Sequence, residues 1–342
     1  MSDHKRALTV DHCGESKIRN SRRESFMNAK RVLVTGASGL IGGAVARAFH
    51  RAGWTTYALI RKESQAPALA QAEIIPLLGD PGKPESVQNL GAASFDVIVS
   101  NTEDLGQPVE HLRQVRQTLD YLTAKSLDDG TKTLVIFTSG SKDYGDMPHG
   151  EPVTAPHSES SPINPHPFAA PRSNFAQSLL AKKSPTFDAV VVRPALVYGR
   201  SSGLYGLFFA HAEKSSDKLV FKADEESMLH SVHVDDCAAA YVALATVAMT
   251  SDISGQAFNV ANAEYETAAQ VARALADSYG LEVQFEKPAT EITGFDAHLL
   301  ANTSQWVDST KLRELTGWAE QMQPFTANID QYRMAYEANR KL

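Results

Sequence analysis

Three glycines spaced three residues apart give the clearest indication of chemistry in this sequence. They lie in the segment Gly36-Ala37-Ser38-Gly39-Leu40-Ile41-Gly42, directly after the short β-branched run 31–35 and before an apolar helical pattern. Glycine permits a tight turn and lets backbone N–H groups approach a diphosphate. The start of a helix adds partial positive charge at the same place. Strand, turn and helix together predict a dinucleotide-binding turn made by Gly36, Ser38, Gly39, Leu40, Ile41 and Gly42.

Two cations follow the second strand pattern, residues 55–60, namely Arg61 and Lys62. In a dinucleotide-binding unit this strand ends beside the adenosine ribose, where an acidic residue would bind the 2′-hydroxyl of NAD. Cations instead favour the 2′-phosphate of NADP, through charge-assisted hydrogen bonds. A solvated, charged strand end is the alternative. The local chemistry therefore predicts NADP, with NAD less favoured.

Asp80 follows the third strand pattern, residues 73–78, and opens the sequence Asp80-Pro81-Gly82. Its carboxylate is a candidate for contact with the adenine edge of the cofactor. Asp-Pro-Gly is also a good turn sequence, so the same side chain is a candidate turn cap.

Strand and helix patterns alternate from Arg31 onward, as the positioning of these residues requires. Further strand patterns occur at 96–100, 133–137, 189–192, 231–234 and 257–261, and helical patterns occur at 109–125, 237–249 and 267–279. Asp235 and Asp236 are expected to cap and begin the helix 237–249, with His233 as a strand residue. The alternation predicts an α/β fold with βαβ units, a parallel sheet and a doubly wound, Rossmann-type topology.

Composition excludes several classes of function for this 342-residue chain, which has a net charge of −7 and 43% hydrophobic residues. Mild acidity gives no general attraction for nucleic acid or anionic lipid, and no apolar run approaches the roughly 20 residues that span a bilayer. Cys13 and Cys237 are too few for a disulfide framework and lack metal-ligand spacing. These features predict a cytoplasmic protein without a metal site. Residues 1–29 lack apolar periodicity and a secretory signal, which predicts a disordered tail, and Met27 is an alternative start.

A set of motifs in a fixed order resembles the extended short-chain dehydrogenase/reductase superfamily, in its nucleotide-sugar epimerase/dehydratase-like group. The resemblance covers about Lys30 to the C-terminus. It rests on the segments 35–42, Gly79-Asp80, Thr138-Ser139-Gly140 running to Tyr144-Gly145, 193–199 (Arg-Pro-Ala-Leu-Val-Tyr-Gly), 232–236 (Val-His-Val-Asp-Asp), Phe258-Asn259-Val260 and 315–318 (Leu-Thr-Gly-Trp).

The resemblance implies a division of the chain and a position for its cofactor. Residues 30–200, completed by 231–262, are expected to form the NAD(P)-binding core, and 201–230 with 263–342 a smaller, C-terminal substrate-binding lobe. Pro194 is expected near the nicotinamide. The expected partner is a small-molecule substrate. Because relatives often dimerise through helices that flank the sheet, a homodimer stays open.

The sequence departs from the resembled group at the three positions that usually do the chemistry. Members usually carry a Ser or Thr, a Tyr that exchanges a proton with substrate, and a Lys four residues after that Tyr. Here the Ser/Thr position is Gly140, and the Tyr-x-x-x-Lys segment reads Phe168-Ala169-Ala170-Pro171-Arg172. Phenylalanine has no ionisable proton, and arginine does not exchange protons near neutral pH. A literal Tyr121-x-x-x-Lys125 lies on an earlier helix and is interpreted as coincidental.

Residues near these three positions are therefore candidates for the roles that the Ser/Thr, Tyr and Lys usually fill. Tyr144 is the first candidate proton donor, and a packed aromatic is the alternative. Ser139 and Ser141 are candidates to polarise a carbonyl, against ordinary strand-end hydrogen bonding. Arg172 is expected at the lysine's place beside the ribose, against a helix-surface ion pair. Two histidines of the proline-rich stretch 145–171 titrate in a useful range, although surface positions are favoured for both, His157 and His166.

Three hypotheses of function follow. The leading hypothesis is an atypical NADP(H)-dependent oxidoreductase acting on a small organic carbonyl or related substrate. The missing Ser, Tyr and Lys also fit a non-catalytic NADP(H)-binding sensor. A cofactor-retaining isomerase, dehydratase or lyase is the third.

Overall fold

A computed structural model describes residues 30–88, 90, 94–148, 155–201, 203–288 and 296–340 of the chain. The expected tail at 1–29, with Met27 and Cys13, lies outside the described residues.

The described part is built on a seven-stranded parallel sheet. Its strand order is β11-β6-β5-β4-β1-β2-β3, and the order reverses direction on either side of β1. The doubly wound, Rossmann-type fold predicted from the alternating pattern is therefore confirmed. The strands are β1 (Arg31–Thr35), β2 (Thr55–Ile60), β3 (Ile75–Leu78), β4 (Val97–Ser100), β5 (Thr133–Thr138), β6 (Phe187–Pro194) and β11 (Gln256–Val260).

Helices cover both faces of the sheet, so the middle residues of its central strands are apolar on both faces. In β1, Val32 and Val34 join one core cluster, whereas Leu33 joins the cluster on the opposite face. The first face packs against α1 (Leu40–Arg51), α2 (Ala66–Gln71) and α6 (Val234–Val247), and the second against α3 (Pro108–Asp128) and α4 (Ala170–Ala181).

A smaller lobe has its own core. Buried aromatic rings form its centre, among them Tyr205, Phe208, Phe221 and Phe325. The remaining helices and strands of the described chain are α5 (Gly206–Glu213), α7 (Ala268–Tyr279), α8 (Ala297–Asn302), α9 (Thr310–Thr316) and α10 (Ile329–Arg340), with the paired strands β7 (Leu196–Tyr198), β8 (Lys218–Lys222), β9 (Met228–Leu229), β10 (Ser231–His233), β12 (Glu266–Thr267) and β13 (Glu282–Glu286). Of these, β7 and β10 pair beside the main sheet, and Leu312 of α9 packs into the first core cluster.

The start of α6 differs from the sequence prediction. The helix begins at Val234, and His233 is its N-cap, with the ring Nδ1 accepting a hydrogen bond from the Asp235 N–H at 3.1 Å. Asp235 and Asp236 lie in the first turn, as expected of first-turn acids, but neither is the cap. The Asp236 carboxylate instead accepts hydrogen bonds from the N–H groups of Gln321 and Met322. It therefore ties the C-terminal segment to the core. A histidine cap was missed because serine, threonine, aspartate and asparagine are the usual caps.

The proline-rich stretch is anchored wherever it is described. The His157 N–H donates to the Trp306 carbonyl at 2.9 Å, and the Asp308 N–H donates to the His157 carbonyl at 2.8 Å. Residues 155–169 are thus held between the Ser139–Tyr144 segment and the C-terminal lobe.

Candidate active site

The glycine turn lies between β1 and α1, and two of its glycines are required by close contacts. Gly36 has φ +68°, and a Cβ there would lie 2.6 Å from the Asn101 carbonyl oxygen. A Cβ at Gly42 would lie 2.3 Å from the Gly36 carbonyl oxygen, so the helix packs onto the turn only with glycine. Gly39 precedes α1 in an extended conformation and makes no side-chain cap. The first N–H groups of α1 are therefore left to bind an anion.

A cavity of about 310 Å³ adjoins this turn at the carboxyl ends of β1, β2 and β4. Ligands of open α/β sheets bind at this edge, where the strand order reverses. The residues that line it are Gly36, Ser38, Gly39, Leu59, Ile60, Arg61, Asp80, Pro81, Gly82, Lys83, Asn101, Thr102, Glu103, Asp104, Gln107, Glu110, His111 and Gln114. Leu40, Ile41 and Gly42 continue the turn into α1 outside this lining.

The two predicted cations differ in position. Arg61 lines the cavity, whereas Lys62 lies outside the lining, and its N–H donates to Gln65 Oε1 at 3.3 Å. Lys83 and His111 also line the cavity and were missed by sequence reasoning. The signal for Lys83 was its position directly after the Asp-Pro-Gly turn. His111 lies on a helix that the sequence predicted, but the helical pattern did not show which face of that helix meets the cavity.

Asp80 forms the predicted turn cap and also lines the cavity, whereas its contact with adenine stays a prediction. Its carboxylate accepts a hydrogen bond from the Gly82 N–H at 2.9 Å, which is the turn cap, and the residue also lines the cavity. A Cβ at Gly82 would lie 2.9 Å from His111 Nδ1. The Asp80-Pro81-Gly82 turn therefore packs closely against α3, at the end of the cavity where the adenine of a dinucleotide is expected.

Tyr144 and Ser139 belong to a buried network around an ion pair. Asp143 and Arg193, with side chains 0% and 2% exposed, are joined at 3.0 Å. The Ser139 hydroxyl donates to the Asp143 carboxylate at 2.8 Å. The Tyr144 hydroxyl accepts from Arg193 Nη1 at 2.9 Å and donates to Asn259 Oδ1 at 2.8 Å. Burial raises the pKa of both Asp143 and Tyr144, and Arg193 opposes that rise. This geometry favours a structural role for Tyr144 over the role of proton donor.

Ser141 is also held by structural hydrogen bonds. Its buried hydroxyl donates to Gln305 Oε1, and the Gln305 amide donates to the carbonyls of Ser141 and Gly145 at 2.6 and 3.1 Å. Both serines proposed to polarise a carbonyl are thus engaged with protein groups.

Arg172 reaches the carboxyl end of β5, where Gly140 leaves space for it. Its Nη2 lies 3.2 Å from the position of a Gly140 Cβ, and the Pro194 carbonyl oxygen lies 3.8 Å from the same point. Its Nη1 donates to Glu103 Oε1 at 2.8 Å, and Glu103 lines the cavity. Arg172, Gly140 and Pro194 therefore meet beside the far end of the cavity wall, and the predicted ion pair exists there as well.

The remaining candidates lie on the stretch 155–169. Phe168, at the expected tyrosine position, is 39% exposed, and its ring centroid is 4.3 Å from that of His166. His157 stacks on Tyr144 with centroids 5.1 Å apart, and burial lowers its pKa. The structure therefore separates the two histidines, with His157 beside the buried network and His166 beside Phe168.

The described residues contain neither a candidate metal site nor a candidate membrane span. No group of three or more histidine, cysteine, aspartate or glutamate side chains in those ranges has metal-binding geometry. None of the helices in the same ranges combines the length and apolar composition that a bilayer crossing requires.

Comparison with known proteins agrees with this architecture. Residues 32–261 match the family model described as the NAD dependent epimerase/dehydratase family. No curated protein matches the sequence.

Solved structures share the fold at low sequence identity. dTDP-glucose 4,6-dehydratase from Bacillus anthracis in complex with NAD has a TM-score of 0.69 at 16% identity, over 92% of this chain and 98% of that chain. The UDP-Glc/GlcNAc 4-epimerase from Campylobacter jejuni has a TM-score of 0.69 at 19% identity, over 92% and 100%. RMD from Pseudomonas aeruginosa complexed with NADPH has a TM-score of 0.64 at 16% identity, over 91% and 98%. These identities establish the common fold alone.

Proposed function

Since the chain belongs to the NAD-dependent epimerase/dehydratase family, we propose that it is an NADP(H)-dependent oxidoreductase acting on a small organic carbonyl compound. The observation that carries the proposal is the position of Arg61 in the wall of the cavity beside the glycine turn. An exposed arginine at the end of β2 suits the 2′-phosphate of NADP.

The other charges of the cavity support this choice. Asp80 and Asp104 each accept hydrogen bonds from nearby backbone N–H groups, at 2.8 to 3.2 Å. These bonds lower the pKa of Asp104 and keep its carboxylate within its own loop. Arg61 is exposed in the cavity wall, where its charge also helps to lower the pKa of Asp104, and Lys83 is exposed in the same wall. Both cations are thus available to a phosphate.

The residues fit a dinucleotide at both ends of the cavity. We assign the diphosphate to the N–H groups at the start of α1, the 2′-phosphate to Arg61 and Lys83, and the nicotinamide ribose to Arg172. When bound, the cofactor supplies or accepts a hydride. The smaller lobe is the proposed substrate side, because it packs at the edge of the sheet where Pro194 and Gly140 meet.

A direct test uses purified protein with NADPH or NADH and a panel of small aldehydes and ketones. We expect saturable NADPH binding, weaker NADH binding, and oxidation of NADPH by at least one carbonyl compound. Tight NADPH binding with no turnover on a broad panel would contradict the oxidoreductase assignment.

A second candidate is a cofactor-binding sensor without turnover. It is favoured by one observation, namely that the hydroxyls of Ser139, Ser141 and Tyr144 are all engaged with protein groups. In that case NADP⁺ and NADPH would differ in their effect on a partner protein's affinity. A partner indifferent to the redox state would remove this candidate.

A cofactor-retaining isomerase, dehydratase or lyase is the third candidate, since structural neighbours bear the names epimerase and dehydratase. Product formation without net NADPH consumption would identify it.

We place the protein in the cytoplasm as a monomer or homodimer, because two cysteines and mild acidity suit a reducing compartment.

A further inference from the structure

The proposed reaction lacks a proton donor at the expected place. Phe168 has no ionisable proton, and Ser139, Ser141 and Tyr144 are held in structural hydrogen bonds. A carbonyl that accepts a hydride at carbon needs one proton at oxygen. The following inference rests on the proposed function and concerns the source of that proton.

His166 is fixed in place by its backbone. Its N–H donates to the Lys142 carbonyl at 3.1 Å, and the Asn164 N–H donates to the Asp143 carbonyl at 3.0 Å. Its own carbonyl accepts from the Ala169 N–H at 2.8 Å. The backbone at His166 is therefore tied both to the segment after β5 and to the turn that precedes α4.

The ring lies beside Phe168, the residue at the expected tyrosine position. Its centroid is 4.3 Å from that of Phe168, and its side chain is 22% exposed. Its Nδ1 is buried without a hydrogen-bond partner among the described residues. Because Nδ1 has no contact with solvent, Nε2 is the ring nitrogen left to meet a substrate.

Two further titratable groups, Asp146 and Lys142, form a chain of contacts with His166. Its Nε2 lies 3.9 Å from one oxygen of Asp146, and the other oxygen of Asp146 lies 3.1 Å from the Lys142 ammonium. The Lys142 ammonium also donates to the Thr303 carbonyl at 2.8 Å. His166, Asp146 and Lys142 therefore form a connected cluster, which we call the His166 cluster.

Burial makes both bases of the cluster lose a proton more readily. Burial lowers the pKa of His166, Asp146 raises it, and Lys142 lowers it. Burial also lowers the pKa of Lys142, to about 8. An imidazolium with a lowered pKa gives up its proton more easily, which suits a general acid.

We propose that His166 donates the proton to the carbonyl oxygen of the substrate through Nε2, and that Asp146 and Lys142 position its ring. When bound, the reduced nicotinamide cofactor would supply a hydride to the carbonyl carbon, and the electron pair of the C=O π bond would move to oxygen. That oxygen takes the proton from the imidazolium, which becomes neutral imidazole and regains a proton from water. In the direction of oxidation, the neutral ring accepts the alcohol proton.

The first test compares NADPH-dependent reduction of the carbonyl panel by wild type, His166→Gln and His50→Gln. His50 pairs with Glu73 at the end of α1 and is the matched control. We expect His166→Gln to lower kcat by a factor of about 10² to 10⁴ while the NADPH Kd stays within about twofold. In wild type kcat should fall as pH rises through the His166 pKa, and Asp146→Asn should move that limb to lower pH. Equal turnover by His166→Gln and wild type would overturn the proposal and leave the proposed function intact.

The second test does not depend on turnover. Histidine-labelled protein is titrated by NMR without ligand, with NADP⁺ and with NADPH, and the His166 signal is assigned from His166→Gln. We expect a lower His166 pKa with NADP⁺ than with NADPH, because only the oxidised ring is positively charged, and no such difference for His50. Saturation by both cofactors with no change at His166 would overturn the proposal, even if no carbonyl is reduced. Failure to bind either cofactor would overturn both the proposal and the proposed function.

Discussion

Reversal of the charge at residue 61 separates the two phosphate contacts of the proposed cofactor. Arg61 is exposed in the cavity wall, so one charge-assisted hydrogen bond to the 2′-phosphate is worth about 1.5 kcal/mol, the lower end of the usual range. Repulsion between an exposed glutamate and the phosphate adds about 1 kcal/mol at the dielectric constant of water. The sum is about 2.5 kcal/mol, which corresponds to roughly a 70-fold loss of NADPH affinity in Arg61→Glu. NADH lacks the 2′-phosphate and should change by less than about threefold, since only long-range charge is altered.

The assay is titration of both cofactors by intrinsic fluorescence at fixed low salt, with Lys62→Glu as the matched control. That control makes the same charge change at the next residue, but Lys62 lies outside the cavity lining. We expect it to weaken NADPH by only a few-fold, as a remote surface charge does. Equal losses of NADPH and NADH affinity in Arg61→Glu would refute the assignment of the 2′-phosphate. Equal effects of Arg61→Glu and Lys62→Glu on NADPH affinity would refute the inference that Arg61, which lines the cavity, contacts the 2′-phosphate and Lys62 does not.

Three further predictions concern the buried polar groups. Tyr144→Phe should lower the free energy of unfolding by about 1 to 3 kcal/mol, because it unpairs Asn259 and Arg193. Turnover should stay within a few-fold, and its complete loss in a folded variant would restore Tyr144 as the donor. Asp143→Asn should cost about 3 to 5 kcal/mol in urea unfolding, because it leaves the Arg193 guanidinium buried without a counter-charge; a change below about 1 kcal/mol would contradict the buried ion pair. His230 is buried, accepts from the Val307 N–H and hydrogen-bonds the Asn262 carbonyl, and burial lowers its pKa to about 4. Since this folded pKa lies below the unfolded value, its contribution is full above about pH 6.5 and is lost as pH falls toward 4, by about 2 kcal/mol at pH 5. His230→Asn should therefore flatten the fall in urea stability between pH 7.5 and 5, and an unchanged slope would contradict a neutral His230.

The fold followed from the sequence because local patterns suffice for parallel strands covered on both faces. Continuous apolar runs such as 97–100 and 133–137 have no other stable position than a buried sheet. The short pairs of the smaller lobe, such as β9 with β12 and β8 with β13, were not predicted. Two- and five-residue strands that pair across long separations leave little periodicity to detect.

The candidate site could be predicted at its cofactor end and only partly at its chemical end. The glycine turn carries its own steric reason, so Gly36 and Gly42 were identified from spacing. The burial of Tyr144 depends on Arg193 and Asn259, which lie 49 and 115 residues away in sequence. The His166 cluster likewise depends on a backbone pairing between residues 142–143 and 164–166. Contacts of this kind arise from tertiary packing, which local patterns in a single sequence do not reveal.

Calorimetric titration of the folded protein with pyridine nucleotides tests the central claim most directly. The claim is that the N–H groups at the start of α1, with Arg61 beside them, bind the diphosphate and the 2′-phosphate of one dinucleotide. We predict saturable heat with one NADPH per chain and a weaker isotherm with NADH. Absence of heat with NADP⁺, NADPH, NAD⁺ and NADH, from protein whose folding is confirmed by circular dichroism, would contradict it.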